Sequence, residues 1–160
     1  MNSMVGIDII CVGKLKEKFY AEAVAEYKKR LGAYCRLNIV ELPETPALNQ
    51  GEAERTLAVE AGKIREKIPK DAYVVCMCIE GRTMSSEELS KTLCELKCRG
   101  RSRLCFIIGS SFGISGEIKK EADLCLSMSK MTFPHHLARV MVLEQLYRSF
   151  KIEEGSGYHK

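Results

Sequence analysis

The last three residues, Tyr158, His159 and Lys160, place an aromatic ring, an imidazole and a cation next to one another. Together these groups can stack on a nucleic-acid base, move a proton and contact a phosphate. The segment from residue 155 onwards is too polar to belong to a core. Because free chain ends are usually disordered, a tail without a chemical role is the alternative.

A glycine loop follows the apolar run of residues 104–108, with Gly109, Gly113 and Gly116 in the pattern G-x-x-x-G-x-x-G. This pattern differs from the dinucleotide-binding G-x-G-x-x-G, and no Gly-Lys-Ser/Thr closes it as in a P-loop. A simple turn after a strand is therefore the alternative to a binding loop. A second loop, residues 127–134, ends the next predicted strand and carries Lys130, Thr132 and Phe133. Ligands of open α/β sheets bind at loops of this kind, so the two loops predict a ligand site.

The last predicted helix, residues 134–151, has apolar groups on two sides. A broad apolar face follows the 3.6-residue period, and further apolar groups lie opposite it in the first two turns. A helix of this kind is buried between two bodies, and in a small chain the second body is expected to be another subunit. The broad face contains Val140, Val142, Leu143, Leu146, Tyr147 and Phe150, and the opposite side contains Leu137, Ala138 and Met141.

Arg139 falls in the middle of that broad apolar face. A buried or interfacial guanidinium needs a carboxylate, a phosphate or a carbonyl as its partner. The alternative is that the stem of Arg139 covers the core while its charged end reaches water. Glu144 and Arg148 stand four residues apart on the same helix, and a surface ion pair would account for them.

Strand-like and helix-like patterns alternate along the chain. The alternation predicts an α/β fold in one domain, residues 1–160, with a mostly parallel sheet of five to six strands and helices on both faces. A capping box at Ser85 and Glu88 begins the third helix, Ser115 caps a short fourth helix, and residues 80–82 turn out of the third strand. In the first helix, Phe19 is expected to face inward. The strands are predicted at residues 7–12, 37–42, 73–79, 104–108 and 124–128, the long helices at 14–31, 51–68, 86–99 and 134–151, and a polar loop at 44–50.

Composition excludes several classes of protein. The 160 residues carry a net charge of +4, from 25 Lys and Arg against 21 Asp and Glu, which permits a nucleic-acid partner without requiring one. No apolar run approaches the roughly 20 residues of a membrane span, and the first residues lack the basic start of a signal peptide, so a cytoplasmic protein is expected. The eight cysteines contain no C-x-x-C pair, and we expect reduced, mostly buried thiols and no metal site.

Several motifs over nearly the whole length resemble the bacterial ribosomal RNA large subunit methyltransferase H family, of the SPOUT class. The run Ser-Lys-Met-Thr-Phe-Pro-His at residues 129–135 and the final Tyr-His-Lys are the most specific. Further similar stretches are residues 12–18, 25–31, 107–109, 139–140 and 144–148. One departure is Ser110, which stands where the family usually has a second glycine after Gly109.

The resemblance implies an α/β fold with a C-terminal trefoil knot that holds S-adenosylmethionine in a bent conformation. It also implies a homodimer in which each site is built from both subunits, and methylation at N3 of a pseudouridine in helix 69 of 23S rRNA on assembled ribosomes. A methyltransferase of the same class with another RNA substrate, and a non-catalytic homologue that binds ribosomes, remain alternatives. The cofactor walls would come from Met77, Gly109, Gly113, Met128, Ser129, Lys130, Met131, Thr132 and Phe133.

The catalytic roles rest on side-chain chemistry together with the resemblance. Tyr158 is expected to stack on the target base, and His159 to accept a proton or to position the base. Arg139, Arg148 and Lys160 would contact RNA phosphate or steady negative charge on the base. Ser110 is small, so we expect cofactor binding to survive, although its side chain could crowd the ligand.

Overall fold

The computed structural model describes residues 4–46 and 50–160. Five strands and five α-helices alternate along this part of the chain. A short 3₁₀ turn, Gln50–Glu52, precedes the second helix. The strands are β1 (Val5–Val12), β2 (Cys35–Leu42), β3 (Tyr73–Thr83), β4 (Arg103–Ile108) and β5 (Leu124–Ser127), and the helices are α1 (Lys18–Leu31), α2 (Ala53–Lys67), α3 (Ser86–Cys98), α4 (Gly116–Glu121) and α5 (His135–Glu153).

All five strands are parallel and lie in the order β2-β1-β4-β3-β5. This arrangement confirms the predicted α/β fold with a parallel sheet, and the described residues form five strands. The parallel direction brings the carboxyl ends of all strands to one edge of the sheet, where β4 lies between β1 and β3. The trefoil knot that the resemblance implies stays a prediction.

Each face of the sheet packs against its own set of helices. On one face, Phe106 of β4 is buried with Leu143 and Leu146 of α5, and the helices α1 and α3 complete that layer. On the other face, Ile107 is buried with Ile118 of α4 and with residues of α2. Neighbouring residues of β4 from position 104 to 108 therefore bury their side chains in opposite layers, which explains why this part of the strand is apolar at every position.

Two elements, α1 and β3, differ most from their predicted bounds. Helix α1 begins at Lys18 because the preceding segment is extended, and the backbone N–H of Leu15 donates to Glu41 of β2 at 3.1 Å. Phe19 is 63% exposed, so its predicted inward position is wrong. Strand β3 continues to Thr83, with an irregularity in its pairing to β5 between Met77 and Arg82, so the predicted turn at residues 80–82 is also wrong.

Other local predictions are confirmed. Ser85 accepts a hydrogen bond from the backbone N–H of Glu88, whose carboxylate accepts in return from the N–H of Ser85, as in a capping box. Ser115 caps α4 through the backbone N–H of Ile118. Of the eight cysteines, which were predicted to be mostly buried, four are buried, three are partly buried and Cys98 is exposed, so that prediction holds for half of them. Burial raises the pKa of Cys76 and of Cys105 to about 12, which suits thiols that act as small apolar side chains. Part of the predicted polar loop, residues 47–49, lies outside the described residues.

Candidate functional site

A cavity of about 650 Å³ opens at the carboxyl ends of β3, β4 and β5. The ends of these strands form its floor, and the two loops singled out in the sequence form its walls. Of the nine residues expected to line a cofactor site, eight lie here, and Lys130 does not. The residues that line the cavity as expected are Met77, Gly109, Gly113, Met128, Ser129, Met131, Thr132 and Phe133.

The glycine loop turns tightly at the end of β4. The backbone N–H of Gly113 donates to the carbonyl of Ser110 at 2.9 Å, and Gly113 has a φ of +90°, which side chains rarely permit. At Gly109, an added Cβ would meet the backbone carbonyl group of Gly113, with the carbonyl carbon only 2.5 Å away. Both positions therefore require glycine.

The hydroxyl of Ser110 is bound to other groups of the protein and does not project freely into the cavity. Its Oγ donates to Oε1 of Glu60 on α2 at 2.8 Å and accepts from the backbone N–H of Phe112 at 3.3 Å. Glu60 is only 2% exposed, and burial raises the pKa of its carboxyl group. The sequence did contain a signal for Glu60, because it occupies the apolar side of α2 together with the buried residues Ala61 and Ile64.

The substitution Glu60→Gln is expected to change how stability depends on pH. A carboxyl group whose pKa is raised by folding stabilises the folded state most when it is protonated, and this contribution is lost as the pH rises above the ordinary range of Glu, near 4. Wild type should therefore lose stability relative to Glu60→Gln as the pH rises above about 4, and each kcal/mol of this loss lowers its Tm by roughly 2–4 °C. Thermal unfolding of both proteins across this range measures the difference, and parallel curves would contradict the assignment.

Arg139 is held inside the chain. Its Nη1 donates to Oε2 of Glu41 at 2.6 Å, and its Nη2 donates to the carbonyl of Gly13 at 2.8 Å. The residue is 1% exposed, which excludes the alternative that its charged end reaches water. The partners are thus a carboxylate and a carbonyl, two of the three kinds expected from the sequence. In this arrangement the guanidinium cannot reach an RNA phosphate, so the expected contact of Arg139 with RNA is wrong for the single chain.

The C-terminal tail packs against α5, so the alternative of a free tail is excluded. The ring of Tyr158 lies edge-on to Tyr147, with centroids 4.9 Å apart, and its hydroxyl donates to Oε1 of Glu144 at 3.2 Å. The guanidinium carbon of Arg148 lies 4.8 Å from the centre of the Tyr158 ring. Burial, and next the carboxylate of Glu144, raise the pKa of the Tyr158 hydroxyl.

His159 completes a cluster with Arg148. Its Nδ1 lies 3.1 Å from Nη1 of Arg148, and its Nε2 lies 2.6 Å from Oε1 of Glu87 on α3. Arg148 also donates to Glu144 from Nη2 at 2.6 Å. The structure thus brings three of the predicted catalytic residues together, while Arg139 lies apart and Lys160 is exposed. We define the tail cluster as Glu87, Glu144, Arg148, Tyr158 and His159.

Sequence reasoning missed the two acidic members of the tail cluster. The spacing of Glu144 and Arg148 was visible, but it equally fits an ordinary surface pair. The side chain of Glu144 is instead largely buried and is shared between Arg148 and Tyr158. No signal in the sequence pointed to Glu87, because acidic residues are common in the first turn of a helix.

The tail cluster and the cavity are separated within one chain. Ala138, in the first turn of α5, lines the cavity, whereas Arg148 lies ten residues further along the same helix. At a rise of 1.5 Å per residue, the two positions are about 15 Å apart along the helix axis. None of the five residues of the tail cluster lines the cavity of its own chain.

Comparison with known proteins identifies the class of protein to which this fold and cavity belong. A family model described as "Predicted SPOUT methyltransferase" matches residues 5–159. In fold, the chain is similar to a probable methylase family protein from Haemophilus influenzae Rd KW20, with a TM-score of 0.54 and 14% identity over 96% of this chain and 69% of that one. The chain belongs to the SPOUT methyltransferase family.

Curated relatives identify the branch of that family. The ribosomal RNA large subunit methyltransferase H of Clostridioides difficile (strain 630) is 46% identical over 159 residues, which cover 98% of this chain and all of the relative. The protein of the same name from Clostridium botulinum (strain Alaska E43 / Type E3) is 47% identical with the same coverage. Within the SPOUT methyltransferases, this chain is a member of the ribosomal RNA large subunit methyltransferase H family.

Two further findings concern possible partners. None of the helices in the described part of the chain has the length and apolarity that a membrane span requires. Among residues 4–46 and 50–160, no three His, Cys, Asp or Glu side chains are grouped so that they could hold a metal ion.

Proposed function

We propose that this protein is a cytoplasmic, S-adenosylmethionine-dependent methyltransferase that acts on N3 of a pseudouridine in helix 69 of 23S rRNA on assembled ribosomes. The observation that carries the proposal is the cavity at the ends of β3, β4 and β5, bounded by both loops. Relatives that match the chain from end to end support the class of substrate, because they are named as methyltransferases of large-subunit ribosomal RNA.

The residues of the cavity fit the proposed cofactor. Its volume of about 650 Å³ lies within the range of roughly 300–1,000 Å³ that is typical of small-molecule sites. The side chains of Met77 and Leu126 offer apolar surface, and Ser129 and Thr132 offer polar groups. When bound, S-adenosylmethionine would supply the methyl group for N3 and would leave as a neutral thioether, and a side chain of the protein would take up the N3 proton.

The tail cluster has the side chains that the target base requires. The ring of Tyr158 can stack on the base, and the guanidinium of Arg148 lies beside that ring, where it can stabilise negative charge on a base that has lost its N3 proton. The carboxylate of Glu144 is a group in the cluster that could accept this proton. Lys160, at the exposed end of the chain, is placed to contact phosphate.

The separation of about 15 Å along α5 between Ala138, at the cavity, and Arg148, in the tail cluster, supports a homodimer in which each site combines the cavity of one subunit with the tail cluster of the other. Helix α5 also leaves a second set of apolar side chains, Leu137, Val140 and Met141, only partly buried in the single chain. A subunit that packs against these side chains would remove them from water and would bring a second tail cluster into reach.

A mixture of two inactive variants tests the shared site. Gly109→Ala disables the cavity, and deletion of residues 158–160 disables the tail cluster. After unfolding and refolding an equal mixture, about half of the dimers should be mixed, each with one intact site, and methyl transfer should recover to about a quarter of wild type. The same variants refolded separately are the control. No recovery, with mixed dimers demonstrated by native mass spectrometry, would contradict a site shared between subunits.

Calorimetric titration with S-adenosylmethionine tests the cofactor site. We expect saturable binding with one site per chain or per dimer, and an affinity for Ser110→Gly within about threefold of wild type, because the Ser110 hydroxyl is bound to Glu60. Absence of binding in both proteins would contradict the cofactor assignment and would favour the non-catalytic homologue. Binding only by Ser110→Gly would instead show that the serine closes the cavity.

A further inference from the structure

The two ring nitrogens of His159 both have partners, and these partners determine where the ring carries its proton. Nη1 of Arg148 can only donate a hydrogen bond, so Nδ1 of His159 must be the acceptor at 3.1 Å. The carboxylate of Glu87 can only accept, so Nε2 must carry the hydrogen at 2.6 Å. This combination is satisfied by one species, the neutral imidazole with its hydrogen on Nε2.

An imidazole held in this way cannot accept a proton from a base at either nitrogen. Its lone pair at Nδ1 points to Arg148, and its Nε2 already donates to Glu87. The ring instead connects the tail to helix α3, which is far from the tail in sequence. The residue before it, Tyr158, is thereby held against Glu144 and beside Arg148.

We propose that Glu87 is a positioning residue that fixes His159 and, through it, Tyr158 in the geometry needed for methyl transfer. In this account His159 is a clamp on the tail, and the proton acceptor is another group of the cluster. The proposal rests on the proposed function, because it assigns a role within that reaction.

The structure also indicates why Glu87 should affect activity more than stability. The Glu87 side chain is 62% exposed, so water competes for its hydrogen bond to His159 and this bond contributes little to folding. The tail before Tyr158 contains Gly155 and Gly157, two residues with a flexible backbone. Tyr158 contacts α5, through Tyr147, Glu144 and Arg148, whereas His159 joins the tail to α3. We call the contact between Glu87 and His159 the anchor. Loss of the anchor should therefore leave the folded domain intact and misplace the tail.

Substitutions at both ends of the anchor test the proposal. Glu87→Ala should lower kcat for methyl transfer to ribosomes by at least about tenfold, whereas the affinity for S-adenosylmethionine and the Tm should change little. Glu87→Gln keeps an oxygen that can accept from Nε2 and should recover most of the activity. Glu95→Ala, an exposed carboxylate two turns further along α3, is the matched control and should behave as wild type.

The same logic applies to His159. Gln can reproduce the donor to Glu87 but cannot act as a base, so His159→Gln should retain clearly more activity than His159→Ala if the ring is a clamp. Equal loss in both variants would mean that His159 accepts the proton and would overturn the proposal. Unchanged kcat in Glu87→Ala would overturn it as well.

A spectroscopic measurement separates this proposal from the proposed function. Nitrogen-15 NMR of the imidazole in the wild-type protein should report the Nε2–H form of His159, and Glu87→Ala should shift these resonances towards those of a free histidine. This readout requires no methyl transfer. If wild type fails to methylate ribosomes but the resonances behave as expected, the proposed reaction is wrong, whereas the contact between Glu87 and His159 is supported. If the resonances are those of a free histidine in wild type, the anchor is wrong.

Discussion

Deletion of residues 158–160 is expected to lower methyl transfer to ribosomes by at least about 10³-fold and to leave the affinity for S-adenosylmethionine within about twofold. The deleted residues include the ring that would stack on the base and the imidazole that orders the chain end, and a loss of this size is typical when base-handling groups are removed. None of the three residues lines the cavity. Single-turnover transfer of a labelled methyl group and calorimetric titration measure the two quantities separately.

Deletion of Lys160 alone is the matched control for the tail. Lys160 is exposed and lies outside the tail cluster, so its loss should weaken binding to ribosomes modestly and should make that binding less dependent on salt. A tail deletion with unchanged methyl transfer would remove residues 158–160 from the reaction. A tail deletion that also abolished cofactor binding would mean that the tail supports the cavity and has no separate role with the base.

Gly109→Ala is expected to lower the affinity for S-adenosylmethionine by at least about 100-fold and to destabilise the fold by about 2–4 kcal/mol. The added methyl group would lie 2.5 Å from the carbonyl carbon of Gly113 and 2.8 Å from Cγ1 of Ile114. The first obstacle is backbone, which cannot rotate away, so the loop must move. Because this loop forms a wall of the cavity, its displacement should weaken binding of the ligand.

Gly116→Ala provides the matched control in the same glycine pattern. No heavy atom lies within 4 Å of a Cβ added at Gly116, and its φ is not in the left-handed region. Alanine should therefore be tolerated there, or should slightly stabilise the first turn of α4. Calorimetric titration and thermal unfolding of both variants check the contrast. Wild-type affinity in Gly109→Ala would contradict the placement of the cofactor in this cavity.

The fold was predictable from local patterns, and the errors arose where distant parts of the chain meet. Residues 80–82 have the composition of a turn, yet β3 continues through them, because Gly81 lets β3 approach β5 with only 2.7 Å between an added Cβ and the backbone of Cys125. The start of α1 shifted because Glu41 accepts a hydrogen bond from the Leu15 backbone. Neither contact is visible in a local window of sequence.

In the candidate site, too, local sequence predicted some features, whereas contacts between distant residues determined the others. The two loops follow β4 and β5, which flank β3 at the same edge of the sheet, and the general rule for ligands in α/β sheets was sufficient to place the loops together. For Arg139, the sequence predicted a carboxylate or carbonyl partner but could not identify Glu41, which lies 98 positions away in the chain. The anchor between Glu87 and His159 spans 72 positions, and only the packing of α3 beside α5 brings these residues together.

The central claim is methylation of ribosomal RNA at one defined atom, and the most direct measurement is transfer to ribosomes that lack the modification. Purified protein, S-adenosylmethionine with a labelled methyl group and 70S ribosomes would be incubated together, and the modified nucleotide would be mapped by mass spectrometry of rRNA fragments. The account predicts one methyl group per ribosome, at N3 of a pseudouridine in helix 69 of 23S rRNA. A label at another nucleotide would contradict the substrate, and no label, from protein that binds S-adenosylmethionine, would contradict the reaction.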